Sequence, residues 1–158
     1  MERNRELTFC WVLGAEPTQC GEKFFGLDLL TLCFLRGSAG PSDLRELTAS
    51  AALQCYGELW QGLHCKALAS GIDFFLFDTA ICSGFPNAAK WLRLIVGTHG
   101  LEVDEETVEL VNAVGEPILE GLEFYRRRRM KLDPAWERHG PEWTNRCNRA
   151  KQRALALG

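Results

Sequence analysis

The chain has 158 residues, of which 46% are hydrophobic and 25% are charged. These values are typical of one folded domain with a sizeable apolar core, and they exclude an intrinsically disordered chain. The net charge of -3 is unevenly spread, since residues 1–120 carry -9 and residues 121–158 carry +6. We expect the basic end to be a solvated helix surface or a contact to an acidic protein partner, rather than a nucleic-acid site.

Hydrophobic residues recur at helical spacing along the chain, and strand signals are weak throughout. The pattern predicts an all-α protein of about seven helices with little or no sheet. Thr48 and Asp104 are typical N-cap residues, and Gly14 and Gly84 are typical of helix ends. The segments with helical spacing are 4–13, 27–35, 49–60, 71–83, 105–114 and 117–130, with further helices that start near Pro86 and at Pro141. Loops are predicted at 15–26 and 37–41 and around His99 and His139.

The segment 71–83 is apolar almost all round a helix, which indicates a helix in the middle of a bundle. Asp73 and Asp78 interrupt it. A buried carboxylate without a partner is very costly, so Asp78 must have a hydrogen-bond partner. We predict structural roles for both aspartates, in capping or helix packing, rather than catalytic ones.

The seven cysteines include no CxxC pair, which gives poor support to a zinc site or a disulfide framework. We expect reduced thiols that act as small hydrophobic side chains in a reducing compartment. No phosphate-binding glycine motif is present, so no cofactor or metal is expected. The N-terminal residues lack the apolar segment of a signal peptide, and no stretch has the length of a membrane span. We therefore expect a protein that is cytoplasmic at synthesis and reaches the periplasm only through a phage or secretion device.

Five motifs of the chain occur in the order and spacing of the phage-type N-acetylmuramidase, or endolysin, family. They are YGELW at 56–60, LASGID at 68–73, FDTAICSG at 77–84, AAKWL at 88–92 and GPEWTNR at 140–146. The chain resembles a divergent member of that family, which implies a single lysozyme-like domain over residues 1–158. Residues 1–47 would hold a degenerate catalytic-motif region, and residues 48–158 a helical bundle that matches the family's C-terminal part.

Members of that family cut the β-1,4 bond between N-acetylmuramic acid and N-acetylglucosamine in peptidoglycan. Their catalytic glutamate ends the first helix, and the resemblance assigns Glu16 to that position. Pro17 and Thr18 stand where the family has two glycines, and Lys23 stands where it has a threonine. The loop between them is shorter than in the family, and its acidic residue has no counterpart. The resemblance therefore implies glycan-strand hydrolysis that is weakened or lost.

Glycoside cleavage usually takes two carboxyl groups, one of which donates a proton to the leaving oxygen. Glu16 would be this general acid, which requires apolar surroundings. Glu22 is the nearest candidate for the second carboxylate, and Asp28 is a weaker one.

Further side chains are expected to contact a substrate or a partner. Cys82 stands where the family has an asparagine that faces the groove. The other candidates are Lys23, Phe25, Ser83, Trp91, Arg126, Arg127, Arg128 and Arg129.

Two functions remain open. The first is a muramidase whose substrate is the peptidoglycan glycan strand, which the fold resemblance and Glu16 favour. The second is a catalytically inactive muramidase-fold protein, of phage-encoded or scaffold type, that binds or inhibits a host or phage protein in the cytosol. The short loop, Cys82 and the number of thiols favour this second function, and fold alone does not decide between them.

Overall fold

The computed structural model describes residues 2–14 and 23–158, and over them the protein is all-α, as predicted. Nine α-helices, one 3₁₀ turn and a two-stranded hairpin make up the described residues. In chain order the elements are α1 Glu2–Gly14, β1 Lys23–Phe24, β2 Leu27–Asp28, α2 Leu29–Arg36, α3 Pro41–Arg45, α4 Ala49–Gly62, the 3₁₀ turn Cys65–Ala67, α5 Ile72–Ser83, α6 Phe85–Ile95, α7 Glu105–Val114, α8 Pro117–Lys131 and α9 Trp136–Leu155.

Helix α5 lies at the centre of the bundle, where α1, α6, α8 and α9 pack around it. Every residue from 72 to 81 is buried, which confirms the helix that the sequence predicts to be apolar on all sides. Full burial of one large apolar side chain stabilises a fold by roughly 1.5–3 kcal/mol, so the apolar side chains of α5 are a major contribution to the core. The largest of them are Phe74, Phe75, Leu76 and Phe77.

Two predicted N-caps are confirmed by their hydrogen bonds. The Thr48 hydroxyl accepts from the backbone N–H of Ala51 at 3.2 Å, and Asp104 accepts from that of Thr107 at 2.8 Å. Each cap satisfies a backbone donor that the first turn of a helix leaves without a partner. Asp28 does the same for α2, which therefore begins at Leu29 and not two residues earlier.

Helix α9 corrects the prediction that Pro141 starts the last helix. The helix begins at Trp136 and contains Pro141 in its second turn, so His139 is helical and does not lie in a loop. Proline lacks the N–H that a helix interior needs. Packing of the first turn offsets this loss, since the Trp136 ring covers Gly140 so closely that a Cβ there would lie 2.8 Å from it.

Two short elements were not predicted. Pro41, which the sequence predicts as part of a loop, is the first residue of α3. The Asp43 carboxylate accepts from the backbone N–H of Gly40 at the start of this helix. The described end of the predicted loop 15–26 is a hairpin, in which Lys23 pairs with Asp28 and Phe24 with Leu27. Its turn residues Phe25 and Gly26 both have positive φ, at 52° and 73°, as the tightest hairpin turns require.

Segments from both ends of the chain meet at the start of α5. The Asn4 side-chain amide donates to the Ser70 hydroxyl at 2.7 Å, and this hydroxyl donates to the Leu157 carbonyl at 2.7 Å. Gly71 has φ +89°, and a Cβ on it would lie 2.4 Å from the Ala154 carbonyl oxygen. Only glycine therefore fits where the end of α9 packs on the start of α5.

Among the described residues, no helix combines the length and the apolar character that crossing a membrane would require.

Candidate functional site

A carboxylate in the middle of α5 is surrounded by side chains from three other helices. Asp78 is completely buried, and its Oδ2 accepts from Arg126 Nη1 of α8 at 2.7 Å. Its Oδ1 accepts from Arg146 Nη2 of α9 at 2.6 Å and from Trp11 Nε1 of α1 at 3.0 Å. The partner that the sequence requires for Asp78 is thus a pair of arginines and an indole, which together tie four helices to one carboxylate.

Two opposing effects set the pKa of Asp78. Burial raises it, because the charged form loses its hydration. The positive charges of Arg126 and Arg146, with their hydrogen bonds, outweigh burial and hold the pKa below its ordinary value. Asp78 is therefore a permanent anion at neutral pH, which suits a structural role and excludes it as a proton donor.

Arg126 makes further contacts that fix its guanidinium. Its Nη2 lies 3.2 Å from the sulfur of Cys82, and its Cζ lies 5.7 Å from the centre of the Phe75 ring. The expectation that the basic residues 121–158 form a solvated helix surface is therefore wrong for Arg126, which is completely buried. The reason is helical geometry, since Arg126 faces α5 while the following residues turn away from it.

A cavity of about 200 Å³ opens beside this buried cluster. Residues from the start of α2, the end of α5, α6, α8 and α9 surround it. They are Asp28, Leu30, Cys82, Ser83, Gly84, Asn87, Arg126, Arg129, Met130, Asp133, Trp143 and Arg146. Three arginines and three carboxylates, counting Asp78 behind the wall, lie in or beside the cavity, so their charges balance. Leu30, Met130 and Trp143 give it an apolar part as well.

Four of the predicted binding residues line this cavity together, namely Cys82, Ser83, Arg126 and Arg129. Asp28, the weaker candidate for a second carboxylate, lines it as well. Its carboxylate accepts from the backbone N–H of Thr31 at 2.8 Å as the cap of α2. The cavity is therefore the place where five of the described candidates converge.

The other predicted binding residues lie elsewhere. Arg127 donates to Glu123 at 2.7 Å and to Asn148, in a surface network between α8 and α9. Arg128 is exposed outside the cavity wall, and Trp91 is buried with its ring stacked on Tyr125. Phe25 is 41% exposed at the hairpin turn, and its carbonyl accepts from the Tyr56 hydroxyl.

The two predicted catalytic glutamates, Glu16 and Glu22, lie outside the described residues. Lys23 belongs to β1, and its side chain is likewise not described. Helix α1 ends at Gly14, two residues before Glu16. Trp11, in the last turn of α1, contacts the cluster behind the cavity wall, so this end of α1 lies close to the cavity.

Sequence reasoning missed several residues of the site. Arg146 and Trp143 belong to the GPEWTNR motif, but the motif alone gives neither residue a role. Arg146 could have been proposed from the need of a buried Asp78 for a cationic partner. Among the described residues, no group of His, Cys, Asp or Glu is arranged to hold a metal ion.

No family model and no curated protein matches the chain. Among solved structures, the chain is similar to that of SagA from Brucella abortus, with a TM-score of 0.79 and 26% sequence identity. The match covers 99% of this chain and 94% of that chain. The two proteins therefore share the all-α fold along nearly their full lengths.

Proposed function

We propose that this protein is a divergent phage-type muramidase that binds peptidoglycan glycan strands and cleaves them slowly, with Glu16 as the proton donor. The single observation that carries the proposal is the cavity beside the Asp78 cluster. It is lined by Cys82, which the family resemblance assigns to the groove, and by Ser83, and Asp78 behind its wall bonds to Trp11 of the helix that precedes Glu16 in the sequence.

The second carboxylate in this proposal is Asp28. Among the described residues, Asp28 and Asp133 line the cavity with carboxylates, and Asp28 is the one that the sequence already offers as a candidate for the second carboxylate. Asp28 is the last residue of the hairpin, where it pairs with Lys23, and it caps the start of α2. Its charge would stabilise the cation that develops on the sugar or activate a water molecule. Glu22 is the competing candidate.

The test is lysis of purified peptidoglycan, followed by turbidity and by gel zymogram, with the wild-type protein beside three variants. We expect Glu16→Gln to abolish lysis and Asp28→Asn to reduce it by at least about 100-fold, the scale of general acid–base catalysis. Asparagine also caps helices well, so Asp28→Asn removes the charge and keeps the start of α2. If Glu22→Gln and not Asp28→Asn reduces lysis, Glu22 is the second carboxylate.

Asp43→Asn is the control, because the Asp43 carboxylate also accepts from a backbone N–H at a helix start, that of Gly40, but does not line the cavity. It should lyse like the wild-type protein. A folded wild-type protein that lyses no peptidoglycan at any dose would contradict the enzyme.

A second candidate is a binding protein, favoured by apolar side chains that remain exposed around the hairpin and α2. Leu30 is 67% exposed and Phe34 is 52% exposed, one helical turn apart on the same face. Contiguous exposed apolar side chains are typical of surfaces that contact other proteins. In this function the fold would be retained while the catalytic loop has lost its chemistry.

The binding function is tested by capture of partners from host cytosol on the immobilised protein. A specific partner should be lost with Leu30→Ser and Phe34→Ser together and retained with Arg128→Glu. A charge-reversal variant of Arg126 is not a suitable control for this surface, because Arg126 is buried and the change would disturb the core. Equal capture by the double variant and the wild-type protein would count against this surface.

A further inference from the structure

The turn of the hairpin at 23–28 has a backbone conformation that its own residues do not favour. The tightest hairpin turns need positive φ at both central residues, and Asn-Gly is the pair that adopts this conformation most readily. Here the first central residue is Phe25, with φ 52°, where a bulky side chain is a rare outlier. Such a conformation persists where the surrounding structure imposes it, so the turn needs support from outside the hairpin.

Tyr56 of α4 supplies that support. Its side chain is completely buried, and its hydroxyl donates to the carbonyl of Phe25. This carbonyl lies outside the strand ladder, which pairs Phe24 with Leu27 on either side of the turn. Burial raises the pKa of the Tyr56 hydroxyl above its ordinary value, so the group keeps its proton and remains a donor even in alkaline solution.

The Tyr56 ring is held by its own neighbours, which fixes the position of the hydroxyl. Its centroid lies 5.8 Å from that of Phe77 of α5, edge to face, and 5.4 Å from that of Phe9 of α1. The second turn residue, Gly26, packs against the same region. A Cβ on Gly26 would lie 3.1 Å from Cγ2 of Ile81 and 3.4 Å from the Tyr56 hydroxyl oxygen. Tyr56 and Ile81 therefore form a seat for the turn.

This seat adjoins the proposed site along the chain. Asp28 lines the cavity two residues after Gly26, and Cys82 lines it directly after Ile81. A two-stranded hairpin is marginally stable by itself, and this one has only two residues in each strand. A turn that leaves its seat would therefore free Asp28, the last residue of the hairpin.

We infer that Tyr56 is a positioning residue of the site: its hydroxyl holds the strained turn and thereby sets the carboxylate of Asp28 at the cavity. The catalytic part of this inference rests on the proposed function, in which Asp28 is the second carboxylate. Tyr56 acts through Phe25 and is not itself a catalytic residue. A shift of about 1 Å in a catalytic group can reduce a rate by about 100-fold, so the loss of one hydroxyl should be measurable in turnover.

Tyr56→Phe removes the hydroxyl and keeps the ring. Backbone amide exchange followed by NMR shows whether the hairpin stays seated, and the Thr31 amide reports on Asp28, because it donates to that carboxylate at 2.8 Å. We expect exchange over residues 23–28 to become at least about 10-fold faster and the Thr31 resonance to shift, since local opening costs less without the seat. Wild-type exchange over these residues overturns the inference.

Tyr125→Phe is the matched control. Tyr125 is the other tyrosine of the chain, stacks on Trp91 and does not line the cavity. Its variant should leave exchange over residues 23–28 unchanged, and equal acceleration in the two variants overturns the inference.

Phe25→Asn tests the turn itself, because Asn-Gly adopts this turn without help. Combined with Tyr56→Phe, it should restore slow exchange in the hairpin. A double variant that exchanges as fast as Tyr56→Phe alone overturns the role of Tyr56 in holding the strained turn.

Turnover on soluble peptidoglycan fragments separates positioning from a merely structural role. In Tyr56→Phe, kcat per folded molecule should fall by about 10-fold or more while KM stays within about 2-fold, because the contacts that bind substrate are retained. Tyr125→Phe should keep both constants. A wild-type kcat in the folded Tyr56 variant overturns the positioning role. If the wild-type protein itself shows no turnover, the proposed enzyme is contradicted, and the exchange rates alone decide whether Tyr56 holds the turn.

Discussion

Helix α5 contains two buried aspartates, and their environments differ at the two positions. Asp73, at the start of the helix, accepts from the backbone N–H groups of Gly71 and Phe74 and from the side chain of Asn4. Asp78, in the middle, has two arginines and an indole as partners. The same helix therefore contains one carboxylate whose hydrogen-bond donors are neutral and one whose donors include two positively charged arginines.

The two settings shift the pKa of the carboxyl group in opposite directions. At Asp73, burial raises the pKa, and the three neutral hydrogen bonds do not fully offset this effect. At Asp78, burial acts in the same sense, but the two arginines outweigh it and the pKa is lowered. The comparison teaches that burial alone does not fix the state of an acid, since the charge of its partners decides it.

The largest expected effect comes from removing the charge of Asp78, with the same change at Asp73 as the comparison. Asp78→Asn should lower the free energy of unfolding by about 3–5 kcal/mol, because two buried arginines lose their anion. Asp73→Asn should change it by less than about 1 kcal/mol, because an amide oxygen still accepts from backbone N–H groups. Urea denaturation at pH 7 measures both. Similar losses in the two variants would break the comparison.

The cationic side of the cluster is tested by adjacent arginines. Arg126→Met should cost about 1.5–3 kcal/mol, because Asp78 loses one charged hydrogen bond but keeps Arg146. Arg127→Met, in the surface network with Glu123, should cost less than about 1 kcal/mol. Thermal or urea unfolding of the two variants shows how much burial increases the loss of stability when the same residue type is replaced. If the Arg127 variant is as unstable as the Arg126 variant, burial does not explain the difference between the two arginines.

The dependence of stability on pH should differ in sign at the two aspartates. Because the folded pKa of Asp78 lies below the ordinary 3.8, its contribution is complete above that pH and is lost as the pH falls through the folded value. The folded pKa of Asp73 lies above 3.8, so its contribution is present in acid and is lost as the pH rises through the folded value. Unfolding curves from pH 2 to 7 should therefore show a weaker acid dependence for Asp78→Asn than for the wild-type protein. They should show a steeper net gain with rising pH for Asp73→Asn.

The smallest effect is expected at an exposed aspartate with similar bonds. The Thr107 hydroxyl and then Arg93 lower the pKa of Asp104, which caps α7 at the surface. Asparagine keeps the cap, and water screens the lost charge. Asp104→Asn should therefore lower Tm less than any destabilising change above. A loss of Tm as large as that of Asp78→Asn would show that burial is not what separates these carboxylates.

The parts of the fold that depend on neighbouring residues could be predicted from the sequence. Local sequence determines the N-caps Thr48 and Asp104 and the buried character of α5. A cap or an apolar helix depends on residues that are only a few positions apart. The start of α9 could not be predicted. Proline favours a helix start, and the sequence pattern does not reveal that the Trp136 ring packs over Gly140 one turn later in a helix that already begins upstream of Pro141.

The candidate site could be predicted only in part. Physical chemistry requires a partner for Asp78, but Arg126 and Arg146 lie 48 and 68 residues away, and no local pattern selects them. The run of four arginines shows why, since its members divide between the core, a surface network and the cavity rim according to helix rotation. The family resemblance supplied Cys82, which composition and spacing would not have singled out.

The meeting of Asn4 and Leu157 at Ser70 has a consequence for how the chain can be rearranged. Because Asn4 and Leu157 contact the same side chain, a short flexible linker could join residues 4 and 157 without stretching the bundle. New ends could then be opened in the exposed turn between α6 and α7, far along the sequence from the cavity residues of α8 and α9. The helices could therefore be connected in a different order along the chain and still pack in the same arrangement. A reporter domain could be inserted at that turn while Asp78 and its arginines remain assembled.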